Sequence, residues 1–319
     1  MGMLSGWRWA PTVAHDPERT NADTLAQMLA VVAIAFAAKY GLASLWVNLE
    51  AMAGNPWAFG FEVGHIAGNL AAGNGFSVSR EPGIFIPTAW ISPLYPMLLA
   101  GIFKTFGLYS LASAKAVLIV NCALQAASAG LLFVMGLRFS GRKVGILAAA
   151  LFVVNPNGWQ FISWAWPSQL FAFALLSHFC ALLIPARSHW LSGALSGATF
   201  ALALMADGAA IAVAPITLAH FFFGYSRDAR LTAIAAALLA FAIGVAPWTV
   251  RNAQQFGSIN PLRGNIGVNL WVGNYPGANA ESFHGLAPSP WHDVEQGERF
   301  TQLGEQAYDR GARIAALDE

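Results

Sequence analysis

The chain has 319 residues, 56% of them hydrophobic and only 10% charged, a balance that excludes one or two ordinary soluble domains. Its net charge of +1, with basic residues dispersed along the chain, excludes a nucleic-acid partner. Cys122 and Cys180 both lie inside apolar runs and read as small hydrophobes rather than as a disulfide or metal pair, and neither a Walker loop nor a Gly-x-Gly-x-x-Gly after a strand is present.

Residues 1–23 are polar and carry Arg8 and Arg19. The apolar run 24–47 that follows is longer than the hydrophobic core of a secretory signal and reads as an uncleaved anchor. A mixed loop rich in Gly, Asn and Pro, residues 48–110, comes next. Within it, 93–107 is too short to span, and with Trp90, Tyr95 and Lys104 around an apolar body it reads as an amphipathic helix at the membrane interface. Further spans are expected at 111–137, from Val144 with an interruption at Asn155-Pro-Asn-Gly158, at 167–185, at 191–206, at 208–224 and at 231–250. Trp159, Trp164 and Trp166 mark an interfacial belt. From Arg251 to Glu319 the chain is polar, with an amphipathic helix expected over 291–317. The fold class is therefore an all-α polytopic membrane protein of about seven transmembrane helices, in three parts: 1–23, the membrane domain 24–250, and the segment 251–319.

Orientation follows from the basic residues, which cytoplasmic loops retain. With the N-terminus inside, Arg8, Arg19, Arg138, Arg142, Lys143, Arg187, Arg227 and Arg230 are all cytoplasmic, and the short outer loops near Trp159 and Asp207 hold none. Both the 48–110 loop and the tail after Arg251 then face outwards, into the periplasm if the source is a Gram-negative bacterium. Lys39 and Lys115 lie in the outer halves of spans, where they either snorkel to lipid headgroups or help neutralise a phosphate bound beneath the loop. His178 and His220 lie towards the inner ends of their spans and read as structural.

The candidate chemistry sits in the first outer loop, where Glu62 and His65 are three residues apart and so share a helix face. A hydroxyl that attacks an anomeric carbon must lose its proton, and a positioned carboxylate serves that step. Hydrolytic glycosidases need two flanking carboxyl groups, whereas Glu50, Glu62 and Glu81 offer no clear pairing. A phosphate leaving group needs cations and donors, for which His65, Arg80, Arg251 and Arg263 are the outer candidates. Residues 264–274 read as a polar ligand loop, with Asn269 and Asn274 as hydrogen-bonding groups and Trp271 as a flat face for a sugar. A packed cap would use the same residues. No metal ligand set is spaced in the sequence, and no cofactor is expected.

The run Ile66-Ala-Gly-Asn-Leu-Ala-Ala-Gly-Asn-Gly-Phe-Ser77, then Pro87-Thr-Ala-Trp-Ile-Ser-Pro-Leu-Tyr-Pro-Met-Leu-Leu-Ala100 and Phe106-Gly107, resembles the first outer loop of bacterial GT-C glycosyltransferases. The relatives are those grouped with glycosyltransferase family 39, the protein mannosyltransferases and the aminoarabinose transferases. Pro247-Trp-Thr-Val-Arg-Asn252 and Pro261-Leu-Arg-Gly-Asn-Ile-Gly-Val-Asn-Leu-Trp-Val-Gly-Asn274 resemble the segment after the seventh span in that group. The resemblance implies an inverting transfer from a polyprenyl-phosphate sugar to an envelope glycan, lipid or protein acceptor outside a bacterial cytoplasmic membrane. Glu62 matches the acidic position of that loop, although Phe61 stands where relatives often carry an acid, and Glu50 is the other upstream acid. Relatives continue into further spans, so a chain stopping at Glu319 is expected to be a truncated or a short form. The rival readings are a carrier for the same lipid-linked sugars and a non-catalytic piece that keeps only the fold.

Overall fold

The computed structural model describes residues 21–79, 83–183, 187–257, 259, 263–275, 290 and 293–318, and these are mostly helical. The expected segments 1–20, Arg80, Glu81 and residues 291–292 lie outside them. Four helices are long and apolar enough to cross a membrane: α1 (Asn21–Trp46), α4 (Leu111–Ser140), α8 (His189–Ala206) and α10 (Arg227–Phe256). They coincide with four of the seven expected spans. The other three expected spans are shorter helices: α5 (Arg142–Val154) with α6 (Pro156–Gln160), α7 (Ser168–Leu183), and a 3₁₀ turn Gly208–Val213 leading into α9 (Ala214–Gly224).

The contacts fix the direction of each helix. α1 runs antiparallel to α4, with Met28 and Val32 against Gly130 at one end and Ala43 clustered with Leu118 and Cys122 at the other. α5 folds back along α4, where Gly136 and Gly145 meet so closely that a Cβ on Gly136 would stand 2.7 Å from the Gly145 Cα. α7 runs parallel to α4, because Asn121 donates to the carbonyls of Ile162 and Trp164 just before α7 while Cys180 reaches the Leu131 carbonyl further on. Parallel neighbours require a returning segment between them, and α5 with α6 supplies it.

The same geometry recurs at α8 and α10. A Cβ on Gly193 would stand 2.1 Å from the Ala233 carbonyl oxygen, one on Gly197 2.0 Å from that of Ala237, and one on Gly244 2.6 Å from the Ala201 Cβ. Small residues at four-residue spacing let two helix backbones approach, the usual route to close packing between apolar helices. Contacts that advance together along both helices make them parallel. The 3₁₀ turn and α9 between them rise by roughly 28 Å, enough to return the chain. His178 of α7, wholly buried, pins this region by hydrogen bonds to Thr199 of α8 at 3.2 Å and Thr217 of α9 at 2.8 Å, which agrees with its structural reading.

At the end where α4 begins, the loop and the tail build a cap. It holds α2 (Glu62–Ala71), a two-residue antiparallel ribbon of β1 (Ser77–Val78) and β2 (Ile86–Pro87) with Ser77 opposite Pro87, α3 (Leu94–Phe106), α11 (Ile266–Asn274), α12 (Val294–Leu303) and α13 (Glu305–Asp318). One core joins the cap to the bundle: Phe59, Val63, Ile66, Tyr95, Leu99 and Phe103 pack in the same cluster as Val117, Leu204 and Trp248. The helix expected over 93–107 is therefore present, and its apolar face packs inside the protein while Lys104 stays exposed.

Three expectations are corrected. The last long helix does not stop at Val250; it runs on to Phe256 and ends at Gly257, whose φ of +68° suits a left-handed cap, so Arg251 lies inside a helix. Most of the expected ligand loop 264–274 is the helix α11. The single helix expected over 291–317 is two helices, parted at Gly304.

Candidate functional site

Glu62 opens α2 and is half-buried. The turn that presents it is unusual at each residue before it. Gly60 has φ +88°, and a Cβ there would stand 2.0 Å from the Ala165 carbonyl oxygen, so only glycine fits between the two loops. Phe61 follows at φ +51°, a region that non-glycine side chains seldom enter, with its ring against Trp57. His65, one turn on, packs edge-on to the Trp57 ring at 4.7 Å, and burial holds its imidazole below the ordinary histidine pKa. Burial therefore favours the uncharged form of that ring. Glu62 and His65 thus share one face of α2, as their spacing requires.

Arg251 lies in α10 beside Phe76, in the segment that follows α2. Its guanidinium donates from Nη1 to the Thr88 carbonyl at 2.6 Å and the Asn252 Oδ1 at 2.9 Å, and from Nη2 to the Phe76 carbonyl at 2.6 Å. The rings of Phe76, Trp248 and Phe256 surround it at 5.1 to 5.5 Å. The arginine expected to meet a lipid phosphate instead clasps the first loop to α10.

A residue absent from the sequence reading completes this clasp. Glu305, at the start of α13, is 3% exposed and takes the Ala89 N–H on both carboxyl oxygens, at 2.8 and 3.0 Å, while Thr88 Oγ1 hydrogen-bonds to its Oε2. Burial pushes the Glu305 carboxyl up to about 8, against the lowering pull of the Thr88 and Ala89 hydrogen bonds and of the Arg251 charge. The Gly264 N–H donates to the Ala89 carbonyl at 2.8 Å, and Trp90 packs on Phe300 and Tyr308. Asp309, four residues on, accepts from the Val268 N–H at 3.0 Å and so caps α11 from the opposite helix. The signal for these acids was available: Glu305, Tyr308, Asp309 and Ala312 fall at i, i+3, i+4 and i+7, and all four are buried.

The remaining expected site residues are tied to other parts of the chain or stand exposed. Arg263 Nε donates to Asn265 Oδ1 at 2.9 Å, and its Nη1 lies 3.8 Å from Asp207, which fixes the tail to the α8–α9 connection. Asn269 and Asn274 are exposed on α11, the latter donating to the Leu270 carbonyl, and Trp271 packs against the main core. Lys115 is exposed on α4, while its neighbours Ala114 and Val117 point into the core. Lys39 departs furthest from expectation. It is wholly buried, with Nζ 4.0 Å from the centre of the Trp159 ring, so it does not snorkel to the surface. An aromatic face at the helix break is a better partner for the ammonium than apolar surroundings.

Among the described residues no three His, Cys, Asp or Glu side chains gather in a metal-binding group, and Cys122 and Cys180 are buried free thiols. No family model matches this chain, and it has no match among curated proteins or solved structures. The fold and site define an α-helical protein of membrane type, whose long apolar helices carry a packed cap of short helices at one end.

Proposed function

We propose that this chain is a GT-C-type membrane glycosyltransferase, moving a sugar from a polyprenyl-phosphate carrier to an acceptor hydroxyl by one inverting displacement. The observation that carries this reading is the turn before Glu62: Gly60 wedged against Ala165, Phe61 at positive φ, and then a half-buried carboxylate. Strain of that kind persists only where the surroundings over-determine it, and it concentrates at functional sites. Glu62 takes the proton of the acceptor hydroxyl as its oxygen bonds to the anomeric carbon, and the polyprenyl phosphate departs with the bonding pair. No metal or organic cofactor enters the step.

The proposed topology has seven crossings with the N-terminus inside a bacterial cytoplasmic membrane, the cap standing in the periplasm. The alternating helix directions support it, as does the cluster of Arg138, Arg142, Lys143, Arg227 and Arg230 at the end away from the cap. In this arrangement the Arg251–Glu305 clasp holds the first loop to α10 and α13 rather than serving as a ligand group. His65 and Arg263 remain the candidates for contact with the donor phosphate.

The test is transfer from a labelled polyprenyl-phosphate sugar by the purified full chain in lipid vesicles. Glu62→Gln is expected to lower the rate by roughly 10²- to 10⁴-fold with insertion and melting temperature unchanged. Full transfer by that variant would remove Glu62 as the base. A carrier is the second reading, favoured by one observation: a buried lysine packed against an interrupted helix, discontinuous helices being a feature of transporter sites. In the same vesicles a carrier would equilibrate the label across the bilayer without forming a new glycosidic bond.

A further inference from the structure

The α5–α6 break brings two buried polar atoms of opposite kind to one point. The position that a Cβ on Gly158 would take lies 3.4 Å from Lys39 Nζ and 3.2 Å from Gln125 Oε1. Lys39 is 0% and Gln125 1% exposed, and among the described residues neither of these two atoms has a hydrogen-bond partner. The groups around them are already committed. Gln125 Nε2 donates to the Gly158 carbonyl at 2.5 Å, Trp159 Nε1 donates to the Val153 carbonyl at 2.9 Å, and the Trp159 ring meets the ammonium through its π face.

The chemistry of the pair selects what can sit between them. Lys39 Nζ is purely a donor and Gln125 Oε1 purely an acceptor. An apolar group would satisfy neither, and a bare anion would suit Lys39 but be repelled by the amide oxygen. A cation would be repelled by the ammonium. An oxygen that carries a hydrogen satisfies both, accepting from one and donating to the other. Burying either atom without such a partner costs free energy that a single bridging hydroxyl recovers.

We propose that Lys39, Gln125 and Gly158 form a buried binding site for one hydroxyl oxygen, either water or the hydroxyl of a small neutral solute. Having no Cβ, Gly158 places no side-chain atom near the two polar groups. The bound oxygen ties α1 and α4 to α6, directly before the segment whose Ile162 and Trp164 carbonyls are held by Asn121 and whose Ala165 carbonyl meets Gly60. The site thereby buttresses the loop beside Glu62 without contributing to the chemistry there, and it stands whether or not the chain is a glycosyltransferase.

The test compares the full chain with Gly158→Ala and Gly158→Ser in the same lipid or detergent. Helix propensity alone ranks Ala above Ser above Gly, so without a bound oxygen Gly158→Ala has the highest melting temperature. With one, the methyl displaces the oxygen and leaves both polar atoms stranded, while the serine hydroxyl takes its place. The expected result is a fall of several degrees for Gly158→Ala and recovery of most of it in Gly158→Ser. A rise for Gly158→Ala, or a fall in Gly158→Ser as large as in Gly158→Ala, overturns the proposal; the second outcome would mean steric crowding alone. Glycerol distinguishes the sources: a gap between wild type and Gly158→Ala that widens with glycerol assigns a solute hydroxyl, and a constant gap assigns water. Should neither variant fold, the wild-type structure in a lipidic mesophase decides. Density within hydrogen-bonding distance of both Lys39 Nζ and Gln125 Oε1 supports the site, and direct contact between the two side chains overturns it.

Discussion

Glu305 is the side chain on which the cap turns, and its protonation sets how firmly the cap holds. In the unfolded chain its carboxyl titrates near 4.5, and in the folded chain burial raises this to about 8. Between those values the folded chain keeps the proton and the unfolded chain releases it. The stabilisation is thus complete below pH 4.5, declines as pH rises through that window, and is gone above about 8. The full swing is on the order of 5 kcal/mol at about 1.4 kcal/mol per pH unit. Glu305→Gln mimics the protonated acid, with an amide oxygen for the Ala89 N–H and an amide N–H for Thr88. Melting temperatures measured across the window are expected to fall more steeply in the wild type than in the variant, where the buried Asp309 carboxyl keeps a smaller dependence of the same sign. Parallel slopes would show that another group carries the dependence. At this scale the sequence was partly legible. Glu62 and His65 share a helix face as their spacing dictates, but the partners of Arg251 and Lys39 were not legible, because sequence gives depth along a helix and not the side chain across it. Phe76, Thr88 and Trp159, which occupy those two cations, come from distant parts of the chain.

Among the elements, the contact between α8 and α10 depends on what is missing from its side chains. Gly193 and Gly197 each set their Cα against a carbonyl of α10, at Ala233 and Ala237. Gly197→Leu would drive a side chain into backbone that cannot yield, and is expected to cost about 3 kcal/mol or more. Gly101→Ala, on the exposed side of α3 with nothing within 4 Å, is expected to gain up to ~1 kcal/mol from helix propensity. Thermal melts of both variants in one detergent check the pair, and a tolerated Gly197→Leu would contradict the close approach. The long helices were legible because 18 or more apolar residues leave few alternatives. α11 was not, since its Gly and Asn content reads as loop. Asp309, 41 residues from Val268, supplies the cap, because the side chain of Asn265 at the N-cap position is taken by Arg263. Tertiary capping of this kind overrides local propensity, and no window along the chain displays it.

For the whole molecule, the order of the helices matters more than their individual lengths. α5, α7 and α9 are each too short to be recognised as spans by length and composition, yet the parallel pairs α4 with α7 and α8 with α10 oblige the chain to return between them. α1, α4, α5, α7, α8, α9 and α10 then alternate in direction, which is the pattern proposed above from the placement of arginine and lysine. In the proposed topology the cap, which joins the loop after α1 to the tail after α10, lies on one side of the membrane, and the turns at Ser140 and Asp228 lie on the other. Single cysteines test this directly, because Cys122 and Cys180 are buried and contribute little background labelling. Ala53→Cys and Gln302→Cys, both exposed in the cap, are expected to react with a membrane-impermeant maleimide on intact spheroplasts. Ser140→Cys and Asp228→Cys, exposed at the opposite end, are expected to react only after permeabilisation. An even number of crossings between Ala53 and Gln302 leaves them on one side, so labelling of only one of the pair would break the seven-crossing order, and a complete reversal would place the cap in the cytoplasm and remove a periplasmic lipid-linked donor from reach of Glu62.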